Sequence, residues 1–166
     1  MKYTPSHTNS VATPQYIKDA IEVRFGKYWD PCPLDENFTT NGLLLDWREH
    51  IGTNACVFVN PPYSKQRPWI RKALGYKGLT SVLLIKNESL GSRYFLKMPK
   101  QADIIFLCPH VQFEGYKKPA RFSSLLLVIG PRSSGQFCFW HHSVQPIPED
   151  DSIQPLSPPI VSVVSQ

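Results

Sequence analysis

The sequence lacks the patterns by which several classes of protein are recognised. Its four cysteines form no C-x-x-C pair and no secretory leader precedes them, which predicts reduced thiols in a cytoplasmic protein. No apolar run is long enough to cross a bilayer, so we expect a soluble chain. Cys138 with His141 and His142 has no matching second pair of metal ligands, which favours packing over a zinc site. We therefore expect no metal.

Glycine-rich phosphate loops are absent too. The sequence contains no Walker loop, no G-x-G-x-x-G and no internal repeat, which weakens the common nucleotide-binding interpretations. Glycine is scarce, with 9 residues, whereas proline is abundant, with 16, so many loops should be stiff. The formal charge of +5 and the isoelectric point near 9.1 favour polyanions as partners.

The first half of the chain alternates helix and strand signals. Thr13 as N-cap and Pro14 at the first helical position predict a helix that ends at Gly26. A short strand is expected at 28–29. Residues 56–59 form a continuous apolar run, which is typical of a strand buried on both faces and favours a parallel sheet.

The second half becomes richer in strands. A helix at 68–74, a buried strand at 81–85 and a helix at 92–98 are followed by predicted strands at 103–107, 111–113, 123–129 and 136–140. We expect one domain over 13–145, with a mixed α/β sheet that is mostly parallel and has an antiparallel C-terminal part. Residues 1–12 are predicted to be a flexible N-terminus, and the proline- and serine-rich segment 146–166 a disordered tail.

Polar residues stand at three predicted strand ends. Asp30 follows the strand at 28–29, Asp46 follows the apolar run 43–45, and 60–63 follows the strand at 56–59. In an open α/β sheet, ligands bind in the crevice outside the carboxyl ends of the strands. We therefore expect the three features to converge on one site.

The most informative of these features is Asn60-Pro61-Pro62-Tyr63. Two successive prolines remove two backbone donors and leave carbonyl groups without local partners. Those free carbonyls are suited to accept hydrogen bonds from a substrate amine. The alternative is a simple β-turn that caps the strand.

This motif resembles motif IV of the S-adenosylmethionine-dependent amino methyltransferases. Its surroundings resemble more specifically the phage DNA N6-adenine methyltransferase (Dam-like) family, over about residues 11–142. The resemblance rests on Thr13-Pro14, Asp30-Pro31-Cys32, Asp46-Trp47, the motif followed by Trp69, and the later runs "ADIIFLCPHVQFEG" and "FSSLLLVIG". The chain departs from the family in carrying Pro109-His110 where members usually carry Gly-Arg, and in "DPCPLDEN", which lacks the usual glycines.

The resemblance implies a Rossmann-like methyltransferase fold, a phage or prophage origin, S-adenosylmethionine as cofactor, and methyl transfer to adenine N6 in DNA. It implies that catalysis depends on Asn60, Pro61, Pro62 and Tyr63. In that role the side-chain carbonyl of Asn60 and the main-chain carbonyl of Pro61 would accept both N–H groups of the adenine amine and aim its lone pair at the methyl donor. Tyr63 would stack on a base turned out of the duplex. By the same resemblance, the cofactor is contacted by Thr13, Pro14, Asp30, Pro31, Cys32, Asn37, Asp46 and Trp47. Turn or helix capping is the alternative interpretation of the two aspartates.

Basic residues cluster after the motif and again near residue 117. Those expected to contact DNA phosphates are Lys65, Arg67, Arg71, Lys72, Lys117 and Lys118. The expected partner is double-stranded DNA with a flipped adenine, and base readout is expected from the loops 64–68 and 114–121. The alternative interpretation is a set of solvated surface charges.

Two other functions are compatible with the sequence. The motif would serve another amino methyltransferase, acting on cytosine N4, an RNA base or a protein glutamine. A non-catalytic nucleic-acid-binding protein could also retain the scaffold. Basic flanks favour nucleic acid over protein as the substrate, and an intact motif favours an enzyme.

Overall fold

The computed structural model describes residues 11–34, 41–91, 93, 95, 98–142 and 147. Asn37, most of both predicted terminal segments, and part of the helix expected at 92–98 lie outside these residues. The helices are α1 (Gln15–Phe25), α2 (Trp47–His50) and α3 (Gln66–Leu74), and 3-10 turns span Tyr63–Lys65 and Asn87–Gly91. The strands are β1 (Tyr28–Trp29), β2 (Cys56–Val59), β3 (Ser81–Lys86), β4 (Asp103–Cys108), β5 (Ser124–Ile129) and β6 (Phe137–His141).

The six strands form one sheet in the order β1-β2-β3-β5-β4-β6. Strands β1, β2 and β3 are parallel, β5 runs antiparallel to both β3 and β4, and β6 is parallel to β4. The expected mixed α/β sheet, mostly parallel with an antiparallel part, is confirmed. It is consistent with a Rossmann-like methyltransferase fold.

The antiparallel part consists of β5, and the last strand is parallel to its neighbour. Because β5 is antiparallel to β4, it ends beside the start of β4. The chain then turns there, with the Gly135 N–H donating to the Gln101 carbonyl and the Ile104 N–H donating to the Gln136 carbonyl. Strand β6 therefore starts at the same edge as β4 and runs in the same direction.

The core lies on both faces of the central strands. Every residue of β2 and β5 is buried, as is β3 up to Ile85. On one face, helix α1 packs Ile17, Ile21 and Phe25, which recur at helical spacing. On the other face lie the apolar residues of α3 together with Trp47. This double burial holds the ends of the strands rigidly, and these ends carry the polar residues.

Three local predictions were wrong. Residues 111–113 are not a strand, because the Val111 carbonyl accepts from the Ala120 N–H and only Glu114 pairs, through a bridge with Ala12. Asp46 follows a turn over 42–45 rather than a strand. Thr13 is not the N-cap of α1, since Pro14 takes that position and no side chain caps the helix.

Candidate active site

The Asn-Pro-Pro-Tyr motif lies immediately after the buried strand β2. Both prolines are buried, and Tyr63 opens the 3-10 turn that leads into α3. The Pro62 carbonyl accepts the Lys65 N–H at 2.8 Å. By contrast, no residue of the described ranges donates to the Pro61 carbonyl. The motif therefore presents one unpaired main-chain acceptor at this edge of the sheet.

The amide of Asn60 has a fixed orientation. Its Nδ2 donates to the Val11 carbonyl at 2.7 Å and to the Thr13 hydroxyl at 2.9 Å. A carbonyl oxygen only accepts, so the nitrogen of the amide has to face Val11. The Asn60 Oδ1 atom then points the other way, and within the described part of the chain no group donates to it. The half-buried amide thus offers a second free acceptor.

Tyr63 is part of an aromatic cluster with a cation over it. Phe113 and Phe122 meet its ring edge to face, with centroids 5.8 and 4.8 Å away. The Lys86 ammonium lies 4.9 Å from the Tyr63 centroid and 4.3 Å from the Phe122 centroid, within cation–π range. Burial raises the pKa of the Tyr63 hydroxyl well above its ordinary value, and this hydroxyl has no partner among the described residues. The ring is therefore suited to packing rather than to proton transfer.

A cavity of about 590 Å³ opens beside this cluster. Its apolar wall is formed by Tyr63, Phe113 and Phe122, and Lys86 lies at that wall. Its rim includes the exposed residues Tyr116, Lys117, Lys118 and Arg121. The volume is in the range of small-molecule sites. An apolar, aromatic interior with a cationic rim suits a flat ring attached to a phosphate backbone.

Asp30 follows the end of β1, and Asn60 follows the end of β2. Because β1 and β2 are parallel neighbours, the two residues lie at the same edge of the sheet. The Oδ1 atom of Asp30 accepts the Cys32 N–H at 2.7 Å. Burial raises the pKa of the Asp30 carboxyl to about 7, against the opposing effects of that hydrogen bond and of Lys18. Burial likewise raises the pKa of the Cys32 thiol to about 12, so the thiol is inert. A carboxyl group of this kind is suited to a cationic ligand.

The loop after Asp30 is held by a close backbone approach. A Cβ atom at Gly42 would lie 2.0 Å from the carbonyl oxygen of Pro31, so only glycine fits there. Gly42 therefore lies directly against the buried Pro31, the residue after Asp30.

Comparison with known families decides the class of the protein. A family model described as DNA N-6-adenine-methyltransferase (Dam) matches residues 3–117, more than half of the chain. The chain belongs to the Dam family. Membership implies DNA adenine N6 methyltransferase activity in general, and the match covers the strand ends and most of the aromatic cluster. The comparisons with curated proteins and with solved structures found no match.

Asp46 of this Dam protein is engaged locally. It caps α2 by accepting the Arg48 N–H at 3.0 Å, and Arg48 also donates Nε to Oδ1 at 3.1 Å and Nη2 to Oδ2 at 2.6 Å. The side-chain hydrogen bonds from Arg48 hold the pKa of the Asp46 carboxyl well below its usual range. Both carboxylate oxygens therefore already have a partner, which matches the capping alternative.

Trp47 belongs to the core. It is fully buried, its Nε1–H donates to the Gly42 carbonyl at 2.8 Å, and its ring stacks on Trp69 and Tyr76. Because the side chain of Trp47 is fully buried, it has no exposed atom that could make the predicted contact with the cofactor. The residue instead anchors the loop that packs on Pro31.

The predicted DNA-binding residues divide into two groups. Lys65, Arg67, Arg71, Lys117 and Lys118 are exposed. Lys65 and Arg67 follow the motif closely in sequence, Arg71 lies further along α3, and the last two lie on the cavity rim. Lys72 is half-buried. Its ammonium donates to the Leu43 carbonyl at 3.0 Å and lies over the rings of Trp47 and Tyr76, which indicates a structural role, and its phosphate contact stays a prediction.

Pro109 and His110, where we expected a departure from the family pattern, both make structural contacts. His110 Nδ1 donates to the Ala120 carbonyl at 2.9 Å, and the Ser123 hydroxyl reaches His110 Nε2 at 3.3 Å. His142 Nε2 donates to the Pro109 carbonyl at 2.8 Å. These contacts hold the loop that forms one wall of the cavity.

Sequence reasoning missed Lys86, Phe113 and Phe122 as members of the site. Lys86 was detectable, since it is the polar end of a buried strand, like Asn60. The two phenylalanines carry no such signal, because their position depends on the irregular loop. In the described part of the chain, no group of His, Cys, Asp or Glu is arranged to hold a metal ion, and no described helix is long and apolar enough to span a membrane.

Proposed function

We propose that this protein transfers the methyl group of S-adenosylmethionine to the N6 amine of adenine in DNA. The observation that carries the proposal is the Asn60 amide, whose nitrogen is fixed by two acceptors and whose oxygen is free. Together with the unpaired carbonyl of Pro61, it provides two acceptors for one exocyclic amine.

The two acceptors, Asn60 Oδ1 and the Pro61 carbonyl, would make the adenine amine a better nucleophile. The lone pair of an adenine amine is delocalised into the ring, so the amine attacks poorly. Hydrogen bonds from its two N–H groups to Asn60 Oδ1 and to the Pro61 carbonyl favour a pyramidal nitrogen with a localised lone pair. Both acceptors are held by a buried strand and two prolines, so they need no reorganisation during the reaction. The proton of the methylated amine is then released to water.

The cavity beside Tyr63 is the proposed binding site of the flipped base. An adenine that stacks on Tyr63 takes the place of the Lys86 ammonium, which now covers that ring. The cationic rim, with Lys117 and Lys118, binds the flanking phosphates, and so do Lys65, Arg67 and Arg71 on the α3 side. The combination of an aromatic wall and cations favours a nucleobase over a glutamine side chain.

The residues around Asp30 fit a cofactor that carries an ammonium group. The buried carboxyl of Asp30 gains a cationic partner when that group binds, beside Pro31 and Cys32. The cofactor supplies an electrophilic methyl group on a sulfonium. Asp46 is proposed to contact the adenine amine of the cofactor, which requires Arg48 to release one oxygen. Pro14 and Asn37 remain proposed contacts by family resemblance.

A labelling experiment tests the proposal. The protein is incubated with S-adenosylmethionine tritiated in its methyl group and with double-stranded DNA or, in a parallel reaction, RNA, and the nucleic acid is digested to nucleosides. We expect the label in N6-methyldeoxyadenosine, at least about a hundredfold slower transfer by Asn60→Ala, and normal transfer by the control Asn54→Ala, whose amide caps a turn before β2. Label on cytosine or RNA alone, or in no product, would reject the proposed activity.

A further inference from the structure

We propose that Thr13 is a positioning residue for the methyl-transfer step, because its hydroxyl holds the Asn60 amide with the carbonyl oxygen facing the substrate. This inference rests on the proposed function and assigns Thr13 a role other than cofactor contact. The observation is the 2.9 Å hydrogen bond from Asn60 Nδ2 to the Thr13 hydroxyl across 47 residues of sequence.

Among the described residues, the Thr13 hydroxyl has no hydrogen-bond partner other than the Asn60 amide. A threonine before a helix ordinarily caps it, yet α1 begins after Pro14 without a side-chain cap. Thr13 is 5% exposed, so its hydroxyl is turned inward toward Asn60 rather than toward solvent. The hydroxyl of Thr13 is therefore available to bind the Asn60 side chain of the motif.

Two acceptors are needed because an amide carries two N–H groups. The Val11 carbonyl takes one and Thr13 takes the other. Without the hydroxyl, one N–H in a half-buried place loses its partner, and only the hydrogen bond to the Val11 carbonyl still restrains the terminal torsion of the amide. Catalysis depends on the position of Oδ1 to within a fraction of an ångström, so a small rotation is enough to slow the transfer.

The segment that carries Val11 and Thr13 is itself anchored. Ala12 forms a bridge with Glu114, whose N–H donates to the Ala12 carbonyl at 3.1 Å. The Glu114 carboxylate also approaches Lys18 on α1 at 3.8 Å. The acceptors for the Asn60 amide are thus tied to both α1 and the loop that lines the cavity.

The test uses a pair of variants that differ in the hydroxyl. Thr13→Val keeps the shape and removes the oxygen, whereas Thr13→Ser keeps the oxygen. Single-turnover transfer by Thr13→Val should slow about ten- to a hundredfold, by analogy with small misplacements of reacting groups. Thr13→Ser should recover most of the rate, and the dissociation constant for S-adenosylmethionine should be unchanged in both variants.

A second readout does not depend on activity. In ¹⁵N-labelled protein, the side-chain NH₂ signals of Asn60, assigned by their loss in Asn60→Ala, should exchange with water faster in Thr13→Val than in the wild type or Thr13→Ser. Unchanged exchange, an unchanged rate in Thr13→Val, or weaker cofactor binding that accounts for a reduced rate would each overturn the inference. A wild-type protein that methylates no adenine would instead reject the proposed function, and the exchange measurement would then still show whether the Thr13 hydroxyl holds the Asn60 amide.

Discussion

Asn60 and Asp46 were both predicted to be functional polar side chains at the same edge of the sheet, and the structure treats them differently. The nitrogen of Asn60 is bonded to Val11 and Thr13, which lie 49 and 47 residues away in sequence, and its oxygen stays free. Asp46 is bonded through both oxygens to Arg48, two residues away. A long-range restraint leaves Asn60 ready to bind a ligand, whereas a local ion pair competes with any ligand of Asp46.

Tyr63 lies in the same motif as Asn60 and, like it, is proposed to contact the substrate. We therefore expect removal of its ring to lower the activity strongly. Stacking of a base on an aromatic side chain is worth about 1–3 kcal/mol, so Tyr63→Ala should lower kcat/KM about 5- to 150-fold. Tyr63→Phe should retain most of the activity, because the buried hydroxyl has no partner in the described structure. Steady-state kinetics on one DNA duplex checks both. Equal losses in the two variants would show that the hydroxyl, not the ring face, is required.

Asp30 should make cofactor binding depend on pH. With a pKa of about 7 in the free protein, its carboxyl is neutral at lower pH, whereas an ammonium ligand requires the ionised form. Affinity for S-adenosylmethionine should therefore fall about tenfold from pH 8 to pH 6, with proton release on binding at neutral pH. Calorimetry in buffers of different ionisation enthalpy measures both effects. Asp30→Asn should bind more weakly at pH 8 and lose this dependence.

The same raised pKa predicts how stability changes with pH. The folded protein binds the Asp30 proton more tightly than the unfolded chain, in which the pKa is about 3.9. The contribution of Asp30 to the free energy of unfolding therefore falls as the pH rises from about 4 through 7. Thermal melting should show a shallower decline in Asp30→Asn over this range, and identical slopes would contradict the assignment.

The basic residues differ in the same way as Asn60 and Asp46: Lys117 and Lys118 are exposed on the cavity rim, whereas the Lys72 ammonium donates to the Leu43 carbonyl. Replacing both Lys117 and Lys118 by alanine should weaken DNA binding several-fold and lower the salt slope of log K by about 0.9 for each phosphate that the variant no longer neutralises. Lys72→Ala should leave that slope unchanged and reduce thermal stability, since its ammonium holds the Leu43 carbonyl. Fluorescence anisotropy over a salt series distinguishes the two. A changed slope for Lys72→Ala would restore its predicted phosphate contact.

The smallest effect on cofactor affinity is expected at Asp46, whose two carboxylate oxygens both accept hydrogen bonds from Arg48. If Arg48 competes with the cofactor for Asp46, Arg48→Met should tighten cofactor binding by a few-fold, whereas Asp46→Ala should weaken it by a similar factor. Calorimetry of the two variants at one pH measures the difference. Weaker binding by Arg48→Met would mean that the ion pair supports the cofactor site.

How far the sequence reveals the site depends on how local its contacts are. The burial of β2 and the position of Asn60 at its end follow from a continuous apolar run and its polar stop, and both were predicted. The Asp46–Arg48 ion pair was within reach of sequence reasoning, since its partners are two residues apart. The hydrogen bond of Thr13 to Asn60 was not, because it joins segments brought together by packing of the whole domain.

The role of the free Asn60 carbonyl is decided by single-turnover methyl transfer in Asn60→Ala with cofactor already bound. We expect this variant to fold, to bind S-adenosylmethionine with wild-type affinity, and to transfer the methyl group at least about a hundredfold more slowly, since it lacks one preorganised electrostatic contact. A variant that binds the cofactor normally and methylates adenine at close to the wild-type rate would contradict the role assigned to this carbonyl.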